Sequence, residues 1–524
     1  MNKKSKSAGR KSKDLGAVDS DLTLPASTLP AEGIELVFGL VGPTGVDLTM
    51  VCDALRAQLT NVGYEPFVVN LSKLIPRIAK PNAFEPANEY DRIKSLMKMG
   101  TKLRENTGQA DIVARLGVAE IRALREVRNN NPLKPIPRAA YIVRSLKRPE
   151  EVELYRTIYG KAFTLISVYS PRDARLKHMR RKFSQIAGTS RTADELAAEL
   201  INRDYAEEGS KKYGQGVSET FPLADYFLTT DSKMVVEENV RRLIYLIFGD
   251  PYISPTRDEQ GMFFAQASAL RSLDLSRQVG AAIISEDGDL LSTGCNEVPK
   301  HGGGLYWGED SNRKRDVEIG HDTNVAIKRE IVEDAFAHLR EAGWLSDEAK
   351  KKNNSLLANE SLFVGKAFLR GSKLFDVIEF GRAVHAEMAA ITQAAKNGIS
   401  LSGNRLFCTT FPCHICARHI VSSGLSEVVF IEPYEKSRTK DLYDDSIAVE
   451  PSEPSSTKSN FRAFVGVAPR RYMAWFKMAS DRKDKMGSTL NLSNYAKTPR
   501  VKRYVLTYLA LEDIIIKETI MPAK

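Results

Sequence analysis

Two spacings of apolar residues alternate along this chain. Glu35–Val41 (ELVFGLV) is a nearly unbroken apolar run, the pattern of a strand buried on both faces. Val46–Leu59 reads as a helix, and Tyr64–Asn70 as a second strand. The alternation continues with strands at Ala139–Val143 and Ala162–Tyr169 and helices at Glu150–Tyr159, Asp173–Lys182 and 231–248. Strands separated by helices at this spacing predict a parallel sheet. Gly249-Asp-Pro-Tyr-Ile-Ser-Pro255 then breaks the pattern, and a boundary is placed there.

Beyond the boundary the pattern predicts a helix over Phe263–Leu273. A hairpin follows, Val279–Ile284 and Leu290–Gly294, joined by Asp287-Gly288. Residues 300–380 form a polar insertion with a helix at 323–342, the kind of segment that serves as a lid or an oligomer contact. A helix over Ala383–Lys396 ends at Asn397-Gly398. Arg405–Thr410 reads as a buried strand, and Pro412 opens another helix at a position that tolerates proline. Val428–Ile431 is a further strand, Met473–Met478 is amphipathic, and Arg503–Leu509 is expected to be the C-terminal strand. The expected organisation is a disordered basic tail over 1–30, a first domain over 31–250 and a second over 255–524.

Composition narrows the classes. A chain of 524 residues supports about two to four domains, and 42% hydrophobic residues suffice for ordinary cores. No apolar run reaches the roughly 18 residues of a membrane span, and the N-terminus lacks an apolar signal core. Five cysteines are few, so Cys52, Cys295 and Cys408 are expected as free thiols in a reducing cytoplasm. The net charge of +10 is partly local, with Lys3, Lys4, Lys6, Arg10, Lys11 and Lys13 in the tail. That balance suits phosphate-bearing ligands or RNA, although a solvated tail is the favoured explanation.

The candidate chemistry lies between residues 384 and 416. His385-Ala386-Glu387 is followed by Pro412-Cys413-His414-Ile415-Cys416, the H-x-E…P-C-x-x-C signature of zinc nucleobase and nucleotide deaminases. Hydrolysing an aromatic C–NH2 bond at neutral pH needs a strong nucleophile. Zinc provides one by lowering the pKa of a bound water to about 7. Three protein ligands leave a fourth position open, and His385, Cys413 and Cys416 are the candidates. Glu387 is the candidate proton shuttle. His414 is a weaker candidate for ligation. His301, His321 and His338 are either a second metal set or scattered surface residues.

The first domain opens with a strand, Gly42-Pro-Thr-Gly45 and a helix, which resembles the start of a P-loop nucleotide kinase. Gly39, Gly42 and Gly45 are its candidate nucleotide-binding residues. The lysine of a Walker A loop is missing, because Val46 and Asp47 follow Gly45. Expectations for this domain are therefore nucleotide (NTP) binding without hydrolysis, or a structural role. Arg172, Arg175, Arg180 and Arg181 resemble the lid arginines of nucleoside monophosphate kinases; the alternative is a solvated helix face.

In the second domain, Ser276–Ile283 (SRQVGAAI) and Gly294–Pro299 (GCNEVP) resemble the opening of deoxycytidylate (dCMP) deaminases. Thr409-Thr410-Phe411-Pro412-Cys413 and Ser423–Val429 extend the likeness. That resemblance implies that Asn296 contacts the substrate sugar, and it adds Arg277 as a substrate-binding candidate. Glu297-Val298 and Ala389 depart from the family's pattern. Substrate phosphates are sought near Lys436, Arg438, Arg470 and Arg471.

The whole chain resembles bacterial two-domain proteins that join a P-loop kinase-like domain to such a deaminase, through Tyr213-Gly-Gln215, Pro433–Ser437 and Val465–Tyr472. The implied fold is α/β: an N-terminal P-loop kinase-like parallel-sheet domain plus a C-terminal cytidine-deaminase-like αβα sandwich. The implied activity is deamination of dCMP, dCTP or both in anti-phage defence, with zinc as cofactor and a cytoplasmic homo-oligomer as the assembly. The alternatives are an editing deaminase acting on nucleic acid, and a first domain that acts as a sensor with a regulatory RNA among its partners.

Overall fold

The computed structural model describes residues 28–29, 33–79, 84–184, 191–210, 213–369, 372–375, 377–433, 437–451, 453–478, 480–490, 499–501, 504–505 and 507–519. The basic tail over residues 3–13 and Lys436 lie outside these.

The first sheet is built from β1 (Leu36–Val41), β2 (Glu65–Asn70), β3 (Ala139–Leu146), β4 (Phe163–Tyr169) and β5 (Tyr226–Thr229). These strands are all parallel, in the order β5-β4-β1-β3-β2. Every residue of β1 and β4 is buried, which accounts for their unbroken apolar sequences. The helices between them are α1 (Leu48–Asn61), α2 (Leu71–Ala79), α3 (Glu89–Thr107), α4 (Ile112–Asn129), α5 (Pro149–Tyr159), α6 (Arg172–Phe183), α7 (Ala193–Ser210) and α8 (Lys233–Ile247).

After the 250–255 break comes α9 (Arg257–Ala269), then β6 (Gly280–Ile284) and β7 (Leu290–Cys295). The helix starts six residues before its expected position. Thr256 and Glu259 form a capping box directly after Pro255, and that local signal outweighs the apolar spacing further on. The insertion carries α10 (Thr323–Glu341) and α11 (Asn354–Leu362), which bury a small core of Val332, Ala358 and Leu362. Next come α12 (Ala386–Lys396), β8 (Arg405–Thr410), α13 (His414–Ser422), β9 (Glu427–Glu432), β10 (Ile447–Val449) and β11 (Ser459–Ala463). The second sheet runs β10-β11-β9-β8-β6-β7, parallel from β10 to β8 and antiparallel where the hairpin joins.

The chain then returns to the first sheet. β12 (Gly466–Val467) pairs antiparallel with β5, and α14 (Pro469–Phe476) and α15 (Thr507–Lys517) follow. The C-terminal strand expected over Arg503–Leu509 shrinks to Tyr504–Val505, which pairs with Thr28–Leu29. From Thr507 the chain is helical, because Tyr508, Glu512 and Ile515 fall on one buried face at helical spacing.

That face carries a charge network. Arg125 of α4 is fully buried and bonds Glu35 and Glu512, with Tyr141 and Tyr508 donating to Glu35 and Tyr159 donating to Glu512. The two sheets meet through Tyr169 against Phe430 and Phe227 against Phe464. Arg242 also bonds the buried Glu259 at 2.6 Å, and Val467 N–H donates to the same carboxylate. We propose the division near residue 255 as the domain boundary, with residues 466–517 counted with the first sheet.

Two outcomes are expected. Removing one partner of a buried charge network costs about 3–5 kcal/mol. Glu512→Ala should therefore lower the melting temperature of the first unit by several degrees in calorimetry, whereas substitution of exposed Glu518 should not. At the joint, burial pushes the Glu450 carboxyl up to about 7, against the opposing pull of Tyr169 and Arg175. A raised folded-state pKa gives stability that is full below the ordinary glutamate value of 4.5 and is lost as pH rises through about 7. Denaturation between pH 5 and 8 should show that decline, and Glu450→Gln should flatten it.

Candidate active site

The site sits where two helices begin. His385 is the N-cap of α12 and Cys413 the N-cap of α13, so Cys416 falls in the first turn of α13. Exposed N–H groups and the helix dipole there favour negative sulfur, and Cys416 N–H points at Cys413 Sγ at 3.5 Å. His385 Nδ1 lies 3.3 Å from Cys413 Sγ and 3.4 Å from Cys416 Sγ.

Backbone pairing fixes the two helix starts. Val384 and Glu297 exchange both backbone hydrogen bonds immediately before His385. Pro412 O accepts from Ser437 and Thr439 hydroxyls immediately before Cys413. Gly294 of β7 lets α12 lie against the sheet, since a Cβ there would meet Ala386 O at 2.2 Å and Ala390 N at 2.5 Å.

Among the described residues, His385, Cys413 and Cys416 are the one group of three His, Cys, Asp or Glu donors whose ligand atoms all lie within 4.8 Å of one another. Zinc bonds of 2.3 Å to sulfur and about 2.0 Å to nitrogen, arranged tetrahedrally, imply N···S separations of roughly 3.5 Å. The observed 3.3 and 3.4 Å match, and the donor chemistry is that of zinc. Proton affinities tell the same story. The Cys416 hydrogen bond, with help from His385, holds the Cys413 thiol down to about 4. The hydrogen bond to Cys413 pushes His385 up to about 9. Two sulfurs and an imidazole thus compete for protons, as donors to a divalent cation do.

Glu387 is 4% exposed in the first turn of α12. Burial raises its pKa, opposed by the nearby His385. Together with His385 and Cys413 it lines a cavity of about 210 Å³. The insertion supplies one wall through Asp316, Asp322, Asn324, Ile378 and Arg382. None of these carried a local signal in the sequence beyond belonging to a long insertion.

Asn296 and Arg277 both line this cavity. The buried Asn296 amide accepts from Val279 N–H and donates to Arg277 O, so it shapes the 277–279 turn from within. Arg277 reaches Glu432 at 3.1 Å, a partner that sequence reading missed. Glu297, a departure from the family pattern, is buried and caps Leu273 N–H and Val298 N–H, with Arg315 nearby. Its role is to hold the strand before His385.

Other candidates lie elsewhere. His414 pairs with Glu379, and His338 with Asp334 and Glu341. Arg470 and Arg471 hold the buried Asp225, so they dock the returning 466–517 segment onto the first sheet. Arg438 pairs with Asp441 on the surface.

In the first unit, Gly39 lies inside β1, where a Cβ would strike Leu146 and Phe163; it belongs to the core and not to a phosphate loop. Gly42 and Gly45 do flank a loop, but the chain's own carboxylates take up its donors. Asp204 accepts from Thr44 N–H at 2.6 Å, and Asp47 accepts from Thr49 and Met50 N–H at the start of α1. Lys147 bonds both Asp204 and Gly42 O. Arg175 bonds Thr44 O, Arg172 bonds Asn202 and Arg180 pairs with Asp194.

Residues 255–432 match the family described as the cytidine and deoxycytidylate deaminase zinc-binding region. A probable deoxycytidylate deaminase of Drosophila melanogaster is 40% identical over 75 residues, which are 14% of this chain and 36% of that protein. The chain therefore spans about a third of the length of that curated relative. A dCMP deaminase from the cyanophage S-TIM5, in apo form, aligns at 16% identity and a TM-score of 0.22, covering 40% of this chain and all of that one. A shikimate kinase from Acinetobacter baumannii aligns at 14% identity and a TM-score of 0.25, covering 43% of this chain and 98% of its own.

Zinc should copurify with the wild-type chain at one ion per protomer by elemental analysis. Cys416→Ser should lower that to a small fraction. A substitution at exposed His338 should leave it unchanged.

Proposed function

We propose that this chain hydrolytically deaminates deoxycytidine nucleotides, dCMP, dCTP or both, to the corresponding deoxyuridine nucleotides. The observation that carries the reading is the convergence of His385, Cys413 and Cys416 with the buried Glu387 on one small cavity. The matched zinc-binding region and the deoxycytidylate deaminase relative support it.

His385 and the two cysteine sulfurs are the proposed zinc ligands. When bound, zinc makes a water acidic enough to act as a nucleophile near neutral pH. Glu387 takes the proton from the attacking water and delivers it to N3 of the cytosine ring. Attack at C4 forms the new C–O bond, and the C–N bond breaks as Glu387 relays the proton of the new C4 hydroxyl to the leaving amino group, giving the C4 carbonyl and ammonia. The pKa of Glu387, raised by burial, suits a group that must both accept and donate.

Asn296 orients the turn that carries Arg277. Arg277 and Arg382 are the cations lining the cavity and are the proposed phosphate contacts. Both carry carboxylate partners, Glu432 and Asp316, that substrate phosphate would have to displace or share. The small cavity, walled by the insertion, favours a single nucleotide over an extended strand. Depletion of deoxycytidine nucleotides during phage infection is the proposed role. It rests on the resemblance of the whole chain to bacterial two-domain deaminases.

Incubation with dCMP, dCTP and a cytosine-containing oligonucleotide should yield uracil products from at least one free nucleotide and none from the oligonucleotide. Glu387→Ala should keep its zinc while turnover falls by about 10²–10⁴-fold, the usual contribution of a general acid–base. Turnover near wild type in that variant would remove Glu387 from the mechanism.

A further inference from the structure

The first unit has a second, larger cavity of about 860 Å³, far from the glycine loop's blocked amides in chemistry although Thr44 touches both. It opens at the carboxyl ends of β2 and β3, where Asn70, Arg144 and Ser145 line it, with α2 and α3 as walls. Open parallel sheets bind ligands at this edge.

The lining is asymmetric. Leu71, Ile75, Phe84, Ile93, Leu96 and Met97 form an apolar side. The other side carries cations, and exposed Glu85 is the lone carboxylate among the lining residues. Several of those cations are already spent: Arg77 pairs with Glu120, Arg92 with Glu89 and Lys147 with Asp204. Lys73 and Arg144 have no hydrogen bond or ion pair among the described residues.

Arg104 is the decisive group. It is 2% exposed and lines the cavity, yet only Nη2 has a partner, Glu151 at 2.7 Å. Its Nε and Nη1 are buried without an acceptor. Gln215 Oε1, also on the lining, is a buried acceptor without a donor. Buried guanidinium donors left unmatched are costly and rare, and they call for an acceptor that the chain itself does not supply.

We propose that this cavity binds a small organic phosphate. Arg104, Arg144 and Lys73 meet the anionic oxygens, and Gln215 accepts from a hydroxyl or amine of the same ligand. The apolar wall on α2 and α3 covers a flat or apolar body. A volume of 860 Å³ admits a molecule the size of a nucleoside phosphate. The glycine loop is not the anion site, because Asp204 and Asp47 already hold the Thr44, Thr49 and Met50 N–H groups and would repel an anion there.

The test is calorimetric titration of the full-length chain with three probes at fixed low ionic strength: adenosine 5′-monophosphate, inorganic pyrophosphate and unphosphorylated adenosine. The monophosphate should bind, pyrophosphate should bind more weakly, and adenosine should not bind measurably. Arg144→Ala and the exposed Lys73→Ala should each weaken the monophosphate about tenfold, the scale of a lost charge-assisted contact. Raising salt should weaken it further, and Arg329→Ala on the insertion should change nothing. If neither anion binds, or if both cavity variants bind like wild type, the proposal is overturned. Lys73 is on the surface, so its variant remains informative should Arg144→Ala fail to fold.

Discussion

Two helix N-termini aimed at the same point are the constraint on which the candidate active site depends. Three electron-rich donors held within 4.8 Å repel one another and compete for protons. Nothing in a helix interior could hold them so. At the starts of α12 and α13, free N–H groups and the positive helix ends offset that repulsion. The second sheet exists, in this sense, to bring those two starts together. β7 carries α12 across its face, the β8-to-β9 crossover delivers α13, and Gly294 permits the close approach.

The two units are tied by charge as well as by packing. Glu259 at the start of α9 receives Arg242 from α8, and Arg470 and Arg471 on the returning segment close on Asp225 of the first sheet. Further along, Glu512 completes the buried shell of Arg125. The last described helix is thus part of the first core. A change at the C-terminal helix is felt first by the first sheet, and the second sheet is reached through Glu259 and the aromatic contacts of Tyr169 and Phe227.

This explains what could be read from the sequence and what could not. The ligand set and Glu387 were legible because short-range spacing on two helices encodes them: His385 to Glu387, and Cys413 to Cys416. The parallel sheet was legible because buried strands such as β1 and β4 are apolar throughout. The carboxylate partners of Arg277 and Arg125 were not, since each lies 90 residues or more away in sequence. The C-terminal helix misled for a related reason. Tyr504-Val-Leu-Thr-Tyr-Leu is rich in strand formers, and Arg125, the buried partner that places Glu512 on an inner helix face, is far away in sequence. Gly39 misled because glycine demanded by close packing and glycine demanded by a phosphate look the same in one dimension.

The first unit shows how to separate those two demands. Around the glycine loop three groups of donors are met from within: Thr44 N–H by Asp204, the start of α1 by Asp47, and Lys147 by Asp204 and Gly42 O. A network closed in this way holds a loop in shape, and a phosphate brought to it would face two carboxylates. Across the sheet edge the accounting does not close. Among the described residues none answers the buried donors of Arg104, and its neighbours Lys73 and Arg144 have no ion pair. A polar cluster satisfied by its own chain is architecture, whereas one left open at a cavity wall requires something from outside. By that criterion the unmet polar demand of the first unit lies at the sheet edge and not at the loop that the sequence advertises.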